Sequence, residues 1–311
     1  MAVQKVSLQH VSAWNRRLIL DAIRRLQPLS RAELARQTSL EAATTSRLVG
    51  DLIDTNLVCE TGKVSTSRGR RPTQLRLDDE GPAILVIDLH HQFLEFTMLT
   101  LSNITLDHRV VPLPRPIKPE SLEKLLKENL EIRGERALLG VAVKSTGIVD
   151  ASAGIIRRTP YLIGQDFALR DLLAGWLDVP VMVEASSRIE AWAEAIAASE
   201  NDMMVVMIGL GVGIGIVSGG HIIRGTHGAA GEVGHTRIRD GSHTCSLGHR
   251  GCLESLTSIP AIEAELSEMK GEAVSYREID SLVKNPDYCR LIDEKVDMLL
   301  SAVAPVVDAF D

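Results

Sequence analysis

No stretch of this 311-residue chain reaches about 18 uncharged apolar residues, which excludes a membrane-spanning helix as an expectation from composition. The opening run MAVQKVSLQHVSAWNRR lacks the apolar stretch of a secretory signal, so the expected compartment is the cytoplasm and no membrane partner is expected. Cysteine is scarce. Cys59, Cys245, Cys252 and Cys289 are too few and too scattered to frame a chain of this size with disulfides, which leaves reduced thiols or a metal site. What is plentiful is apolar residues, at 45%, enough for a sizeable core in at least one of two domains.

The formal net charge of -7 hides an asymmetry between the two ends. Residues 1–77 hold 13 Lys and Arg against 6 Asp and Glu, and the remainder holds 21 against 35. A basic head on an acidic body fits a polyanion partner; charge alone fits a solvated basic helical domain as well. Motifs decide between the two. From Val11, the residues Trp14, Leu18, Ile19, Ala22, Ile23 and Leu26 repeat at helical spacing, and Pro28 closes the segment. Ser30-Arg31-Ala32-Glu33 reads as a capping box that opens a short helix over 31–37. A third helix is expected from about Glu41 to Asp54, burying Leu40, Leu48, Val49, Leu52 and Ile53. Its other side carries Ala43, Thr44, Ser46 and Arg47, whose small, hydroxyl and guanidinium groups suit a close approach to the major groove of DNA.

A short strand at Asn56-Leu57-Val58 and the alternation Leu75, Arg76, Leu77 bracket a polar segment containing Gly62 and Gly69, the pattern of a β-hairpin wing. Arg68, Arg70 and Arg71 fall near its tip, where guanidinium groups can enter a minor groove or clamp phosphates. Helical triplet, cap, basic wing and charge asymmetry together indicate a DNA-binding head over 1–78. Beyond it, strand-like runs at Ala83–Leu89, Phe93–Leu101 and Ile104–Val111 precede a helix near Glu120–Ile132 and a buried strand at Ala137–Val143. Val179–Glu184 reads as a strand, Ser187–Ala198 as a helix and Met203–Ile208 as another buried strand, so residues 79–311 are α/β in class.

The run Ser-Arg-Gly-Arg-Arg-Pro-Thr-Gln-Leu-Arg-Leu at 67–77, Gly-Glu-Val-Gly-His at 231–235 and Gly-His-Arg-Gly-Cys-Leu-Glu at 248–254 resemble the ROK family, which joins repressors to sugar kinases. The resemblance extends from about Asn15 to the C-terminus. It implies a winged helix-turn-helix followed by a two-lobed, actin-like ATPase (ribonuclease H-like) ROK domain. Because the apolar run Leu299 to Phe310 reads as an unfinished helix-to-strand passage, that domain is expected to be cut short at Asp311.

A kinase of this family needs a small Gly-Gly-Thr turn after the first strand, a catalytic aspartate and a second glycine loop. Here Asp88-Leu89-His90-His91 fills the first place, with side chains too bulky for close approach to phosphate, and the histidine pair reads as a solvated turn rather than a metal site. Ser186 stands where the resemblance puts the base, Ala185 replaces a sugar-binding Asn, and Tyr161 takes another Asn position. Gly209-Leu210-Gly211-Val212-Gly213-Ile214-Gly215 reads as a tight strand connection rather than a nucleotide loop. No kinase activity and no ATP are expected.

Five histidines, His221, His227, His235, His243 and His249, fall within 29 residues alongside Cys245, with Cys252 just beyond. By resemblance, His235, Cys245 and Cys252 match zinc ligands, while Leu247 stands at a fourth, cysteine, position. A structural zinc completed by His243, His249 or water, and a metal-free loop, both remain open. Glu232, His235 and Glu254 match positions that hold sugar hydroxyls, and Gly147 matches a turn lining the same cleft, with Thr146 in place of a usual proline. The combined expectation is a repressor that binds operator DNA as a homodimer or higher homo-oligomer. Its effector would be a small molecule, a sugar or sugar phosphate. Two alternatives stand beside it: a sugar kinase with an added DNA-binding head, and a remnant that binds nothing.

Overall fold

The structure is a computed structural model that describes residues 8–63, 73–164, 166–241, 243–282 and 284–310. Its first part packs three helices, α1 (Leu8–Leu26), α2 (Arg31–Thr38) and α3 (Ala42–Asp54), against strands β1 (Leu29–Ser30), β2 (Val58–Lys63) and β3 (Thr73–Leu77) in the order β1-β3-β2. Ser30 caps α2 as its sequence predicts: its hydroxyl accepts from the Glu33 amide at 3.3 Å, and the Glu33 carboxylate accepts from the Ser30 amide at 2.7 Å. The core gathers Ile19 and Ile23 from α1, Leu34 from α2, Leu48, Val49 and Leu52 from α3, and Leu75 and Leu77 from β3. Burying each of these side chains contributes about 1.5–3 kcal/mol, so the triplet and hairpin hold together through one shared apolar centre.

Two details depart from expectation. Trp14, placed by period on the apolar face of α1, is 66% exposed. Periodicity identifies a face but not whether a partner stands opposite it, and the first residue that α1 gives to the core is Ile19. The pair Leu29–Ser30 adds a strand to β3 in register Leu29 to Leu75, too short to carry an alternation signal.

The second part begins after a five-residue joint, 78–82. Strands β4 (Ala83–Leu89), β5 (Phe93–Leu99) and β6 (Thr105–Pro112) lead to α4 (Pro119–Asn129), β7 (Leu138–Ser145), β8 (Ile148–Asp150), β9 (Ile155–Arg158), α5 (Leu169–Leu177) and β10 (Val181–Ala185). The main sheet has the order β10-β7-β4-β5-β6, parallel from β10 to β4 and antiparallel beyond. Leu122 and Leu126 of α4 and Leu169 and Leu173 of α5 pack into its core. Register aligns Leu89, Ser145 and Ala185 at the carboxyl ends of three adjacent parallel strands. The residues that follow, His90, Thr146 and Ser186, therefore emerge side by side, at the edge where open α/β sheets place ligands.

Then come α6 (Ser186–Ala198), β11 (Met203–Ile208), β12 (Val212–Ser218) and β13 (His221–Ile222), followed by α7 (Leu253–Thr257), α8 (Ile259–Lys270), α9 (Ile279–Leu282) and α10 (Pro286–Phe310). Met203–Ile208, expected as a buried strand, is only half-buried because it lies at the edge of the sheet β11-β12-β13. Met203 and Val205 pack toward α6, while Met204 and Val206 pack near Leu299 and Val306 of α10. The apolar run 299–310, expected to pass from helix to strand, is helical throughout, with its inward residues repeating at α-helical rather than alternating spacing. No helix among the described residues is long and apolar enough to cross a membrane.

Arginine 136 ties the joint to the second part: its Nε donates to the Gly81 carbonyl at 2.9 Å and its Nη2 to the Asp79 carbonyl. On the other side, the Asp78 amide donates to the Leu57 carbonyl at 3.1 Å and the Leu77 amide to Gln27 Oε1 at 2.7 Å.

Candidate functional site

A cleft of about 1240 Å³ opens at the carboxyl ends of β4, β7 and β10 and is closed opposite by the β11–β12 turn and the segment 232–261. Gly147, Glu232, His235 and Glu254 all line it, although they come from separate regions of the chain. Gly147 has φ +97, and a Cβ there would meet the Arg158 carbonyl at 2.2 Å, so only glycine lets β8 and β9 close against each other beside the cleft.

The two carboxylates differ in what remains free. Glu254 is buried, with Oε1 accepting from the Ser246 amide at 2.9 Å and hydroxyl at 2.6 Å, and Oε2 accepting from the Val212 amide at 3.2 Å. A Cβ at Gly211 would come within 2.6 Å of that Oε2, which makes Gly211 a packing requirement of the β11–β12 turn. Glu232 has a long contact to His235 Nε2 at 3.9 Å and accepts no hydrogen bond from a described side chain. Burial raises its pKa first and nearby Glu254 adds to the rise, while Arg188 opposes both. Glu232 is thus the carboxylate with acceptor capacity left for a ligand hydroxyl.

Asp88, at the end of β4, is held by Lys144 Nζ at 2.8 Å, and Lys144 also reaches Glu190 at 3.4 Å. Ser186 Oγ is buried without a hydrogen-bond partner. Tyr161 is fully buried and lies outside the cleft lining, with its hydroxyl 2.8 Å from Ser145 Oγ. It fills the core and offers the cleft no polar group.

The expectation of a solvated turn at His90–His91 is overturned. His91 is 9% exposed, its Nε2 is buried and unpartnered, and both rings line the cleft. In the turn after β4, His90 stacks on Phe93 at 4.3 Å, and the His91 ring lies tilted against it at 3.8 Å. Burial, then His90 and Arg115, hold the His91 pKa down to about 4. The unfolded chain takes up a proton near the ordinary value of 6.5 that the folded chain refuses until about 4. Stability from this group is therefore complete above that ordinary value and is lost as pH falls toward the lower one. His91→Leu is expected to remove about 2 kcal/mol of the stability difference between pH 7 and pH 5, measured by urea unfolding at each. An unchanged difference would assign the acid sensitivity to other groups.

His235, Cys245 and Cys252 offer ligand atoms within 4.8 Å of one another. Tetrahedral zinc with bonds of about 2.0–2.3 Å needs ligand spacings of about 3.5–3.8 Å, so a modest inward movement would complete the set. One observation suits a cation here, His235 Nδ1 being buried without a partner, whereas burial raises the Cys245 thiol and favours its neutral form. His249 stands edge-on to His235 at 5.6 Å between ring centres, and His243 lies 3.9 Å from Glu268.

On α3, Ala43, Ser46 and Arg47 are exposed and Thr44 is half-buried, while Thr45, Leu48, Val49 and Leu52 face the core. Arg47 reaches Asp51 at 3.4 Å, and Asp51 also contacts Arg16 of α1 at 3.3 Å. Arg68, Arg70 and Arg71 lie outside the described residues. The cleft also brings in Arg115 and Arg158, which no motif announces, and Arg250 from the run 248–254.

The mixed sheet with a cleft at its carboxyl edge is an α/β fold. The ROK family description matches residues 85–311, and the chain belongs to that family. It is 30% identical over 276 residues to a xylose repressor of Bacillus spizizenii, covering 86% of this chain and 71% of that protein. It is 28% identical over 244 residues to the DNA-binding transcriptional dual regulator NagC of Escherichia coli K12, covering 76% of this chain and 60% of NagC. Among solved structures, a ROK family transcriptional regulator homologous to the E. coli MLC protein superposes with TM-score 0.81 at 24% identity, over 97% of this chain and 81% of that one. A ROK hexokinase from Thermus thermophilus superposes with TM-score 0.60 at 27% identity, over 74% of this chain and 78% of the hexokinase.

Proposed function

We propose that the protein is a DNA-binding transcriptional repressor of carbohydrate-related genes, working in the cytoplasm, whose ROK cleft takes a sugar-class effector. The observation that carries this is the division of α3: its apolar side is buried against α1, α2 and β3, while Ala43, Ser46 and Arg47 face outward with Thr44 half-exposed. In this reading residues 1–78 are a winged helix-turn-helix in which α3 enters the major groove and the segment joining β2 to β3 is the wing, whose Arg68, Arg70 and Arg71 would serve a minor groove or phosphates. Residues 79–311 form the effector domain, and a homodimer matches two half-sites of one operator. Relatives named as repressors support a regulator rather than a kinase, as does an Asp88 whose charge is taken up by Lys144. Effector binding would act through its different affinity for two arrangements of the heads.

Fluorescence-anisotropy binding to DNA from the protein's own promoter region, at several salt concentrations and with competitor DNA, tests this. Competitor-resistant binding that weakens with salt is expected, together with no ADP formation across common hexoses. Sugar-dependent ADP production would establish the kinase instead.

The same reading puts a structural zinc on His235, Cys245 and Cys252, with water or His249 as the fourth ligand in place of the missing thiolate. The metal would hold the 235–252 loop over the cleft. Elemental analysis of the purified protein is expected to find about one zinc per chain, falling at least tenfold in Cys245→Ser together with the melting temperature. Metal-free protein with an unshifted melting temperature in that variant would remove zinc from the account.

A further inference from the structure

The regulator reading leaves open what chemistry the effector brings to the part of the cleft at the ends of β4 and β7, and the side chains there are specific on that point. We propose that His90, His91 and Arg115, with Thr146 beside them, form an anion-binding subsite, so that the effector is a polyhydroxylated molecule bearing a phosphate ester or a carboxylate. This deepens the proposed function, since it rests on the same cleft being the effector site.

Strand register first brings the groups together, because β4 and β7 end in line and deliver His90-His91 and Thr146 to one edge. The His90 Nδ1 accepts from the Gln92 amide at 3.4 Å, which leaves its ring proton on Nε2 as a donor. His91 is nine-tenths buried, lines the cleft and has no partner at Nε2; Thr146 Oγ1 is also buried and unpartnered. Buried polar groups are ordinarily hydrogen-bonded, so two orphans on one wall describe a surface awaiting a ligand atom.

Charge then selects the ligand's sign. Arg115 lines the same wall and has no carboxylate partner among the described residues, whereas the nearby ammonium of Lys144 is already shared by Asp88 and Glu190. Its field bears on both imidazoles, lowering their basicity alongside burial. A guanidinium fork next to neutral N–H and O–H donors suits the several oxygens of a phosphate or carboxylate. Glu232, which lines the same cleft and has acceptor capacity left, suits hydroxyl donors. The proposed ligand would therefore set its anionic group toward Arg115 and its hydroxyls toward Glu232.

The full-length protein would be titrated calorimetrically with glucose, glucose 6-phosphate, glucuronate, xylose and inorganic phosphate, alongside Arg115→Ala and the charge-conserving Arg115→Lys. Glucose 6-phosphate or glucuronate is expected to bind at least tenfold more tightly than glucose. That ratio should fall toward one in Arg115→Ala and recover in part in Arg115→Lys. Preference for glucose 6-phosphate identifies a phosphate ester as the source of the anion, and preference for glucuronate a carboxylate. In the bound form the His91 imidazole resonance, assigned by its loss in His91→Gln, should titrate at higher pH than in the free protein. Neutral sugars binding as tightly as anionic ones, absence of binding by every anionic probe, or inorganic phosphate bound equally by wild type and Arg115→Ala, an adventitious ion only, would each overturn the subsite. Promoter DNA binding is measured separately, so its failure would remove the repressor while leaving the charge ratio in the cleft readable.

Discussion

Replacing Arg188 with methionine is expected to destabilise the ROK domain by about 3 kcal/mol or more, visible in urea unfolding as a lower midpoint at unchanged slope. Arg188 is 1% exposed and donates to Glu184 at 2.6 Å, to the Gly228 carbonyl at 2.8 Å and to the Val149 carbonyl at 2.7 Å. It joins the start of α6 to β8 and to the loop that leads into Glu232. Methionine fills much of the volume but leaves two carbonyls without donors and takes from Glu184 Oε1 its charged donor. Glu184 keeps Arg224 at 2.6 Å and the Ala185 amide at 3.0 Å, which holds the loss toward the lower end of that for a broken buried pair. The double variant Glu184→Leu/Arg188→Met should recover part of it, since an apolar pair carries no stranded charge. A loss under about 1 kcal/mol in the single variant would mean that loop 224–232 is anchored by other contacts.

For the proposed repressor, Arg47→Ala is expected to weaken operator binding about 10- to 100-fold, the effect of losing a direct base or phosphate contact. Arg47 is suited to this because its link to Asp51, at 3.4 Å on an exposed helix face, is weak enough to exchange for DNA. The salt dependence separates two roles. Loss of a phosphate contact lowers the slope by about one and weakens all sequences alike, whereas loss of a base contact leaves the slope and relaxes specificity at one position. Ser46→Ala should have a smaller effect in the same direction. Arg290→Ala, on the exposed start of α10, serves as the comparison, and equal affinity loss in both arginine variants would argue against α3 as the reading helix.

Much of the fold was legible in the sequence because local rules and tertiary packing agree there. Ser30-x-x-Glu33 marks a helix start through two hydrogen bonds that need no distant partner, and both form. The apolar run Ala83–Leu89 marks a strand, and the structure buries alternate residues from Ala83 to Leu89, a division of faces that the run itself does not announce. Trp14 and Met203–Ile208 show where such rules end, since the amount of burial depends on what another part of the chain supplies. The cleft was legible in part. Gly147, Glu232, His235 and Glu254 were expected to share it and do line it together, but only coordinates reveal that Glu254 is occupied by Ser246 and Val212 while Glu232 is free. His91 was misjudged because two adjacent histidines after a strand say nothing about which way the turn folds. Arg115 and Arg158 stand in no motif, and Arg250 stands in the run 248–254 with nothing there to mark it as a cleft residue.

The joint at 78–82 has a consequence for how two heads would share one operator. A flexible tether of unbonded residues would give the second head an effective concentration set by chain statistics and tolerant of altered half-site spacing. Here the joint is short and bonded at both ends, by Asp78 to Leu57 and by Arg136 to Asp79 and Gly81. In the proposed dimer, avidity would then depend on angular phase: half-sites moved by half a turn of the double helix would present the second head with the wrong face of the DNA, and the gain from bivalence would vanish rather than decline.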